Sequence, residues 1–132
     1  MKSRETIMRL KRFHVDEKRR RVAQIEMMIA DFDRMATDLE REIAMEEQRA
    51  GISDKAHFAY PTYARAAMQR RENLQRSAEE LKGQLADARR ELEEAFETRA
   101  AVSVLLGQAS IEDAAAQYMQ EAADILARAK KG

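Results

Sequence analysis

Apolar residues in the first 50 positions recur with a seven-residue period. One heptad position holds Met8, Val15, Val22, Ile29, Ala36 and Ile43, and another, three residues further along, holds Ile25, Phe32 and Leu39. A repeat averaging about 3.5 residues keeps one apolar seam on one side of an α-helix, as in coiled coils. Lys11 and Lys18 take the second heptad position upstream, where the seam weakens. The pattern predicts a helix over residues 3–50 that packs against another helix.

A second seam begins after a short interruption. Gly51 suits a helix C-terminus because glycine enters the left-handed region without steric penalty, and Pro61 suits the first turn of a helix. We therefore expect a hinge over residues 51–60 and a second helix over residues 61–106, each helix about 68 Å long at about 1.5 Å per residue. The second seam consists of Ala64, Ala67, Arg71, Leu74, Ala78, Leu81, Leu85, Ala88, Leu92, Ala95, Arg99, Val102 and Leu106.

The charge pattern favours an antiparallel arrangement of these helices. The net charges are +6 over residues 1–21, −5 over 31–47, +3 over 62–76 and −4 over 79–97. Folding back at the hinge brings opposite signs together. One exposed ion pair contributes only about 0–1 kcal/mol, but many together select an orientation. The predicted fold class is all-α: a long antiparallel two-helix coiled coil (a helical hairpin) over residues 1–106.

The sequence leaves two helix–helix registers open. If facing residue numbers add up to 110, large residues meet small ones in several layers, and Leu39 faces Arg71. If they add up to 117, Glu46 faces Arg71 instead. The first register is preferred because it fills the seam better.

The Ala-rich tail, residues 107–132, departs from the heptad pattern. Ser110 and Asp113 have the spacing of a capping box, in which side chains satisfy the first N–H groups of a helix. We expect a short third helix over residues 110–129. Its apolar stripe is Ile111, Ala115, Tyr118, Ala122 and Ile125, reaching about Ala129.

Composition agrees with a thin, elongated protein. Charged residues make up 36% of the chain and aromatic residues 5%, so most side chains must face water. The formal net charge of zero excludes binding to nucleic acids or membranes through bulk charge. The N-terminus lacks an apolar signal region, and no stretch approaches the roughly 20 apolar residues of a membrane span. We therefore expect a cytoplasmic protein.

Catalytic, cofactor and metal sites are not predicted. The chain has no cysteine and two histidines, His14 and His57, which are far apart in sequence. There is no glycine-rich phosphate loop, and no serine has an evident base nearby. We expect no enzymatic activity, no catalytic residues, no cofactor, no metal and no small-molecule substrate.

Two groups of residues are candidates for binding other proteins. The basic group comprises Arg9, Arg12, Lys18, Arg19, Arg20 and Arg21. It either attracts an acidic protein surface or pairs with the acidic segment 87–97 of the second helix. Nucleic acid is disfavoured as a ligand because Phe13 alone accompanies the run, which leaves no platform for stacking bases. The aromatic group, Phe58, Tyr60 and Tyr63, either contacts a partner or closes the end of the coiled coil.

Several strings outside the heptad positions resemble a known family. RETIMRLKRF (residues 4–13) and VDEKRRR (15–21) are similar to the start of the flagellar export protein FliJ as found in alphaproteobacteria. EEQRAGISD (46–54), FAYPTYA (58–64) and AMQRR (67–71) resemble the hinge region of the same group. The resemblance covers roughly residues 1–106, and the tail departs from the charged continuation expected of that family.

The resemblance implies an accessory component of the flagellar type III protein export apparatus. Members of this family form an antiparallel coiled coil similar to the stalk subunit of rotary ATP synthases. They bind the export ATPase ring, the export gate protein and export chaperones. Such a protein would lie in the cytoplasm, peripheral to the inner membrane through its partners, and would serve flagellum assembly, motility and chemotaxis. A general coiled-coil adaptor or chaperone outside the flagellar system is the alternative.

Overall fold

The computed structural model describes residues 2–131, and throughout this range the regular secondary structure is helical. The helices are α1 (Lys2–Ala50), α2 (Thr62–Leu105) and α3 (Ile111–Lys131). The prediction of an all-α fold is confirmed.

Glycines end the first two helices. Gly51 has φ of 71°, and the N–H of the following residue, Ile52, donates to the carbonyl of Glu47 at 3.2 Å. Gly107, also at φ 71°, follows α2 in the same way. This geometry satisfies carbonyl groups that the helix leaves unpaired, and it requires a left-handed residue for which glycine carries no penalty. The chain therefore leaves both helices at defined points.

The predicted seam positions are the ones shielded from solvent. Fourteen of them are buried: Val15, Val22, Ile25, Ala36, Leu39, Ile43, Ala64, Ala67, Ala78, Leu81, Leu85, Ala88, Leu92 and Ala95. The polar seam residues Lys11, Lys18, Arg71 and Arg99 are half-buried. Each Å² of apolar surface that is removed from water stabilises this packing by about 25 cal/mol. The seven-residue period thus identified every buried position of α1 and α2 except Phe96.

The chain forms two compact units, one of which consists of residues 25–84. It contains the C-terminal half of α1, the hinge and the first half of α2. Its core near the hinge joins residues from all three: Leu39, Ile43, Tyr60, Ala64 and Ala67, with Ile52, Met68 and Leu74 packed against them.

The other unit contains the remaining described residues, 2–24 and 85–131. Here α3 packs against α1 and α2. Two residues outside the predicted seam, Phe96 of α2 and Ala114 of α3, are buried. The Ser110 hydroxyl accepts a hydrogen bond from the N–H of Asp113 at 3.1 Å, the first half of the predicted capping box.

Candidate partner-binding surfaces

Part of the predicted basic group forms an exposed surface on α1, which we call the basic face. Its members are Arg9, Arg12, Arg20 and Arg21, together with Leu10 and Phe13. Leu10 is 61% exposed and Phe13 53%. Among residues 2–131, no acidic side chain forms an ion pair with these four arginines. Their charge is thus left for solvent or for another molecule.

The basic face also includes an aromatic contact. The guanidinium of Arg20 lies 6.0 Å from the centroid of the Phe13 ring. Arg9, Phe13 and Arg20 are separated by four and seven positions, so they share one side of the helix. An exposed cation–π pair contributes only about 0.5–1 kcal/mol. An apolar ring beside positive charge suits a protein partner that offers both acidic and apolar groups.

Lys18 and Arg19 have a different environment. Lys18 Nζ lies 3.3 Å from the Glu91 carboxylate. Arg19 lies 3.3 Å from the Glu121 carboxylate, and its guanidinium lies 5.1 Å from the centroid of the Phe96 ring. Their predicted role as partner-binding residues stays a prediction, and we leave them out of the basic face because their charged groups are already paired within the chain. The contact between Lys18 and Glu91 agrees with the alternative interpretation, in which the basic group pairs with the acidic segment of α2.

Arg19 belongs to a cluster that joins three helices, which we call the α3 clasp: Arg19, Phe96, Arg99 and Glu121. Glu121 pairs with Arg19 of α1 and with Arg99 of α2. Both guanidinium groups lie over Phe96, that of Arg99 at 5.4 Å from the ring centroid. The side chains of Arg99 and Glu121 are each 13% exposed, and such shielded pairs depend strongly on both partners.

A second contact holds α3 close by. The Tyr118 hydroxyl donates to the Glu93 carboxylate at 3.1 Å. This hydrogen bond and the loss of solvent raise the pKa of Tyr118 above its usual value, because ionising the hydroxyl would remove the donor and place a second negative charge beside Glu93. Neither this contact nor the clasp follows from the heptad pattern. The sequence feature that could have indicated a third helix packed here is Phe96, a large aromatic residue next to the seam.

At the hinge, Tyr60 is part of the core. It is 4% exposed, and its hydroxyl donates to the Glu47 carboxylate at 2.8 Å. Desolvation, followed by the hydrogen bond to Glu47, raises the pKa of Tyr60. Its predicted contact with a partner is therefore wrong for this conformation, and the alternative of an apolar plug describes it.

Phe58 is the exposed member of the aromatic group. Its side chain is 94% exposed and stacks on His57 with ring centroids 4.8 Å apart. His57 Nδ1 accepts a hydrogen bond from the Ala59 N–H at 2.9 Å, and Asp54 accepts one from the Ala56 N–H at 3.0 Å. These local bonds give the hinge a defined turn. The hinge thus presents Phe58 to solvent from an ordered loop.

Tyr63 is less exposed than Phe58 and more exposed than Tyr60. It is 55% exposed, while its hydroxyl donates to the Glu42 carboxylate at 2.7 Å. That hydrogen bond raises the pKa of Tyr63. The ring is available for an apolar contact, whereas the hydroxyl already has a partner.

Neither a metal-binding cluster nor a membrane span is found in the part of the chain that the structure describes. Residues 2–131 contain no group of three or more His, Cys, Asp or Glu side chains placed to hold an ion. None of the helices described is long and apolar enough to cross a bilayer. Comparisons with family models, curated proteins and solved structures yield no match for this chain.

Proposed function

We propose that this protein is a FliJ-like accessory component of the flagellar type III export apparatus. It binds the export ATPase ring, the export gate and export chaperones, and it promotes substrate export without catalysing a reaction. The proposal rests on the strings at residues 4–21 and 46–71. The all-helical fold is compatible with it. Its place of action is the cytoplasmic face of the inner membrane, reached through these partners.

We infer further that α1 and α2 form an antiparallel coiled coil. Within residues 25–84, Glu47 contacts Tyr60 of the hinge, and Glu42 contacts Tyr63 of α2. A residue earlier in α1 therefore contacts a residue later in the chain, as expected for antiparallel helices. Within the other unit, the pairing of Lys18 with Glu91 agrees with opposite helix directions.

These contacts also favour one register. The numbers of Lys18 and Glu91 add up to nearly 110 and lie well short of 117. In the 117 register Glu46 would face Arg71. Glu46 instead pairs with Arg49 at 2.8 Å, and the buried Nε of Arg71 has no hydrogen-bond partner among the described residues. The register that sums to 110 is therefore our choice.

The basic face carries the proposal for ATPase binding. Four exposed arginines without acidic partners lie on the same stretch of α1 as exposed Leu10 and Phe13, and one of them, Arg20, lies over the Phe13 ring. Such a surface is attracted to acidic protein groups over a Debye length of roughly 8–10 Å, and its apolar residues add affinity on contact. We assign this face to an acidic surface of the ATPase ring.

The hinge supplies a separate candidate surface. Phe58 and the ring of Tyr63 are exposed, and an aromatic side chain held in a defined loop loses little conformational entropy on binding. We assign this surface to the export gate. Export chaperones are a third class of partner, to which no surface is assigned.

A general coiled-coil adaptor is the second candidate. The basic face and Phe58 would serve an adaptor equally well. Deleting the gene separates the two. The flagellar proposal predicts reduced swimming and reduced secretion of flagellar substrates into the medium, with both restored by the wild-type gene. Normal motility and secretion in the deletion strain would reject the flagellar role and leave the adaptor.

A further inference from the structure

Helix α3 carries an exposed apolar seam, which we call the α3 seam. It comprises Ile111, Ala115, Met119, Ala122, Leu126 and Ala129, of which Ala122 and Ala129 are half-buried and the other four exposed. Ile111 is 73% exposed, Met119 69% and Leu126 62%. From Ala115 onward the spacing alternates between four and three residues, the spacing of a coiled-coil seam. Large residues and alanines alternate along it.

Packing within the chain holds this seam outward. The side of α3 that faces α1 and α2 bears Ala114, which is 4% exposed, together with Glu121 of the clasp and Tyr118. Rotating the helix to bury Met119 and Leu126 would break the ion pairs of Glu121. The apolar stripe predicted from the sequence is therefore divided, and Ile111 and Ala115, which belonged to it, are exposed.

We propose that the α3 seam binds the α3 seam of a second copy of this chain, with the two helices antiparallel about a two-fold axis. An axis between residues 120 and 121 places Ala115 opposite Leu126 and Met119 opposite Ala122. Ile111 then lies level with Lys130 of the other copy. Met119 and Leu126 each meet an alanine, so the backbones approach closely and the centre of the seam fills without overlap.

Charge complementarity supports the second copy as the occupant and fixes its direction. At about 100° per residue, Glu112 and Lys130 lie on the same edge of the α3 seam. In an antiparallel pair, like edges meet, so Glu112 of each copy faces Lys130 of the other. This gives two reciprocal ion pairs. Both residues are exposed, and neither forms an ion pair among the described residues.

The same charges disfavour a parallel pair. The first turn of α3 carries Glu112 and Asp113, and the last turn carries Arg128, Lys130 and Lys131. A parallel pair would bring acidic residues together at one end and basic residues together at the other. An isologous antiparallel contact closes on itself, so the assembly stops at a dimer.

The contact is small. Each copy offers three large apolar side chains over a helix of 21 residues, about 31 Å long. Such a pair falls below the roughly 1,200 Å² typical of stable complexes. We expect a dissociation constant on the order of 10 µM, within the range of transient dimers.

Sedimentation velocity of the full chain between about 2 and 200 µM tests the dimer. The mass should rise from 15.2 kDa towards twice that value. Met119→Lys should weaken association at least about tenfold, because it places a charge in the seam. The matched control is Met45→Lys, since Met45 is also an exposed helical methionine, at 59%; it should associate like the wild type. Circular dichroism should show equal helicity for all three proteins.

Two further variants test the direction. Glu112→Lys and Lys130→Glu should each weaken association, and the double variant should restore it. Because the chain has no cysteine, an Ala115→Cys copy mixed with a Leu126→Cys copy should form a disulfide heterodimer on oxidation. Ala115→Cys alone should cross-link poorly.

Three results would overturn the proposal. The first is a constant mass of one chain over the whole concentration range, which would leave the seam to a different protein. The second is unchanged association of the Met119→Lys variant. The third is efficient cross-linking of Ala115→Cys alone, which would mean a parallel pair.

Discussion

The carboxylate of Glu121 on α3 lies 3.3 Å from the guanidinium of Arg19 on α1, although the two residues are 102 positions apart. Glu121 also pairs with Arg99. One acidic side chain thus contacts two basic ones and joins the tail to both longer helices. It also explains why Arg19 differs from the arginines of the basic face.

We expect Glu121→Gln to loosen α3. Glutamine keeps the size of the side chain but leaves Arg99 without its counter-charge and Arg19 with Asp16 alone, at 3.8 Å. The ion pairs are partly shielded, so we expect the free energy of unfolding to fall by about 1–3 kcal/mol, between the values for exposed and buried pairs. Hydrogen exchange of α3 amides should accelerate, and urea denaturation should give the loss of stability.

Glu112→Gln is the matched control for Glu121→Gln. Glu112 is an exposed acid on the same helix, and at low concentration its loss should change stability by under about 0.5 kcal/mol. Equal stability of the two variants would show that the clasp does not hold α3.

The sequence predicted the α1–α2 seam because a seven-residue period leaves one buried stripe, and that stripe is the one observed. The orientation of α3 was not predictable in this way. Its buried side includes Glu121 and the small residue Ala114, while Met119 faces solvent. The stripe predicted from the sequence left Met119 out, but it included Ile111 and Ala115, which are exposed. Ion pairs to residues distant in sequence decide the orientation, and a periodicity contains no information about them.

The candidate surfaces were predictable only in part. Composition singled out the basic group, but which arginines have partners depends on side chains of α2 and α3. The hinge aromatics are neighbours in sequence, yet Tyr60 is 4% exposed and Phe58 94%. Their separation follows from the turn around His57, whose ring nitrogen accepts a backbone N–H.

Seam leucines should dominate stability. Leu81 and Leu92 are buried at 7% and 6% exposure. Replacing either by alanine should lower the free energy of unfolding by about 2–5 kcal/mol, at the lower end because a two-helix seam is narrow. Glu94→Ala, on the exposed face, should change it by under about 0.5 kcal/mol. Urea denaturation would contradict the seam assignment if all three variants lost the same stability. Glu93 is a poorer control because Tyr118 donates to it.

The hinge aromatics should separate into a structural and a surface residue. Tyr60→Ala should lower the urea midpoint clearly, because it opens the core around Ile43 and Ala64. Phe58→Ala should leave the midpoint unchanged and, on our assignment, reduce binding to the export gate. A Phe58→Ala variant that binds the gate normally would remove the hinge from the binding surface.

Alkaline pH should destabilise the fold. The pKa values of Tyr60, Tyr63 and Tyr118 are all raised in the folded state, through hydrogen bonds to carboxylates and burial. A group with a raised folded pKa stabilises the fold fully below its unfolded pKa, about 10, and this stabilisation disappears as pH rises through the folded value. Thermal denaturation at pH 8 to 11 should therefore show a falling midpoint above about pH 10. Tyr63→Phe should reduce this dependence, and an unchanged slope in that variant would contradict the assignment of its hydrogen bond to Glu42.

Binding of the flagellar export ATPase from the same organism tests the central claim most directly. The variant Arg9→Gln, Arg12→Gln, Arg20→Gln and Arg21→Gln removes the charge of the basic face. Its control, Arg34→Gln, Arg41→Gln, Arg49→Gln and Arg90→Gln, removes the same charge from exposed arginines that pair with acids three residues away. Titration calorimetry at about 50 and 300 mM salt should show binding by the wild type and the control that weakens with salt, and at least tenfold weaker binding by the basic-face variant at low salt. Equal affinities for the two variants would contradict the account, as would an ATPase that binds none of the three proteins.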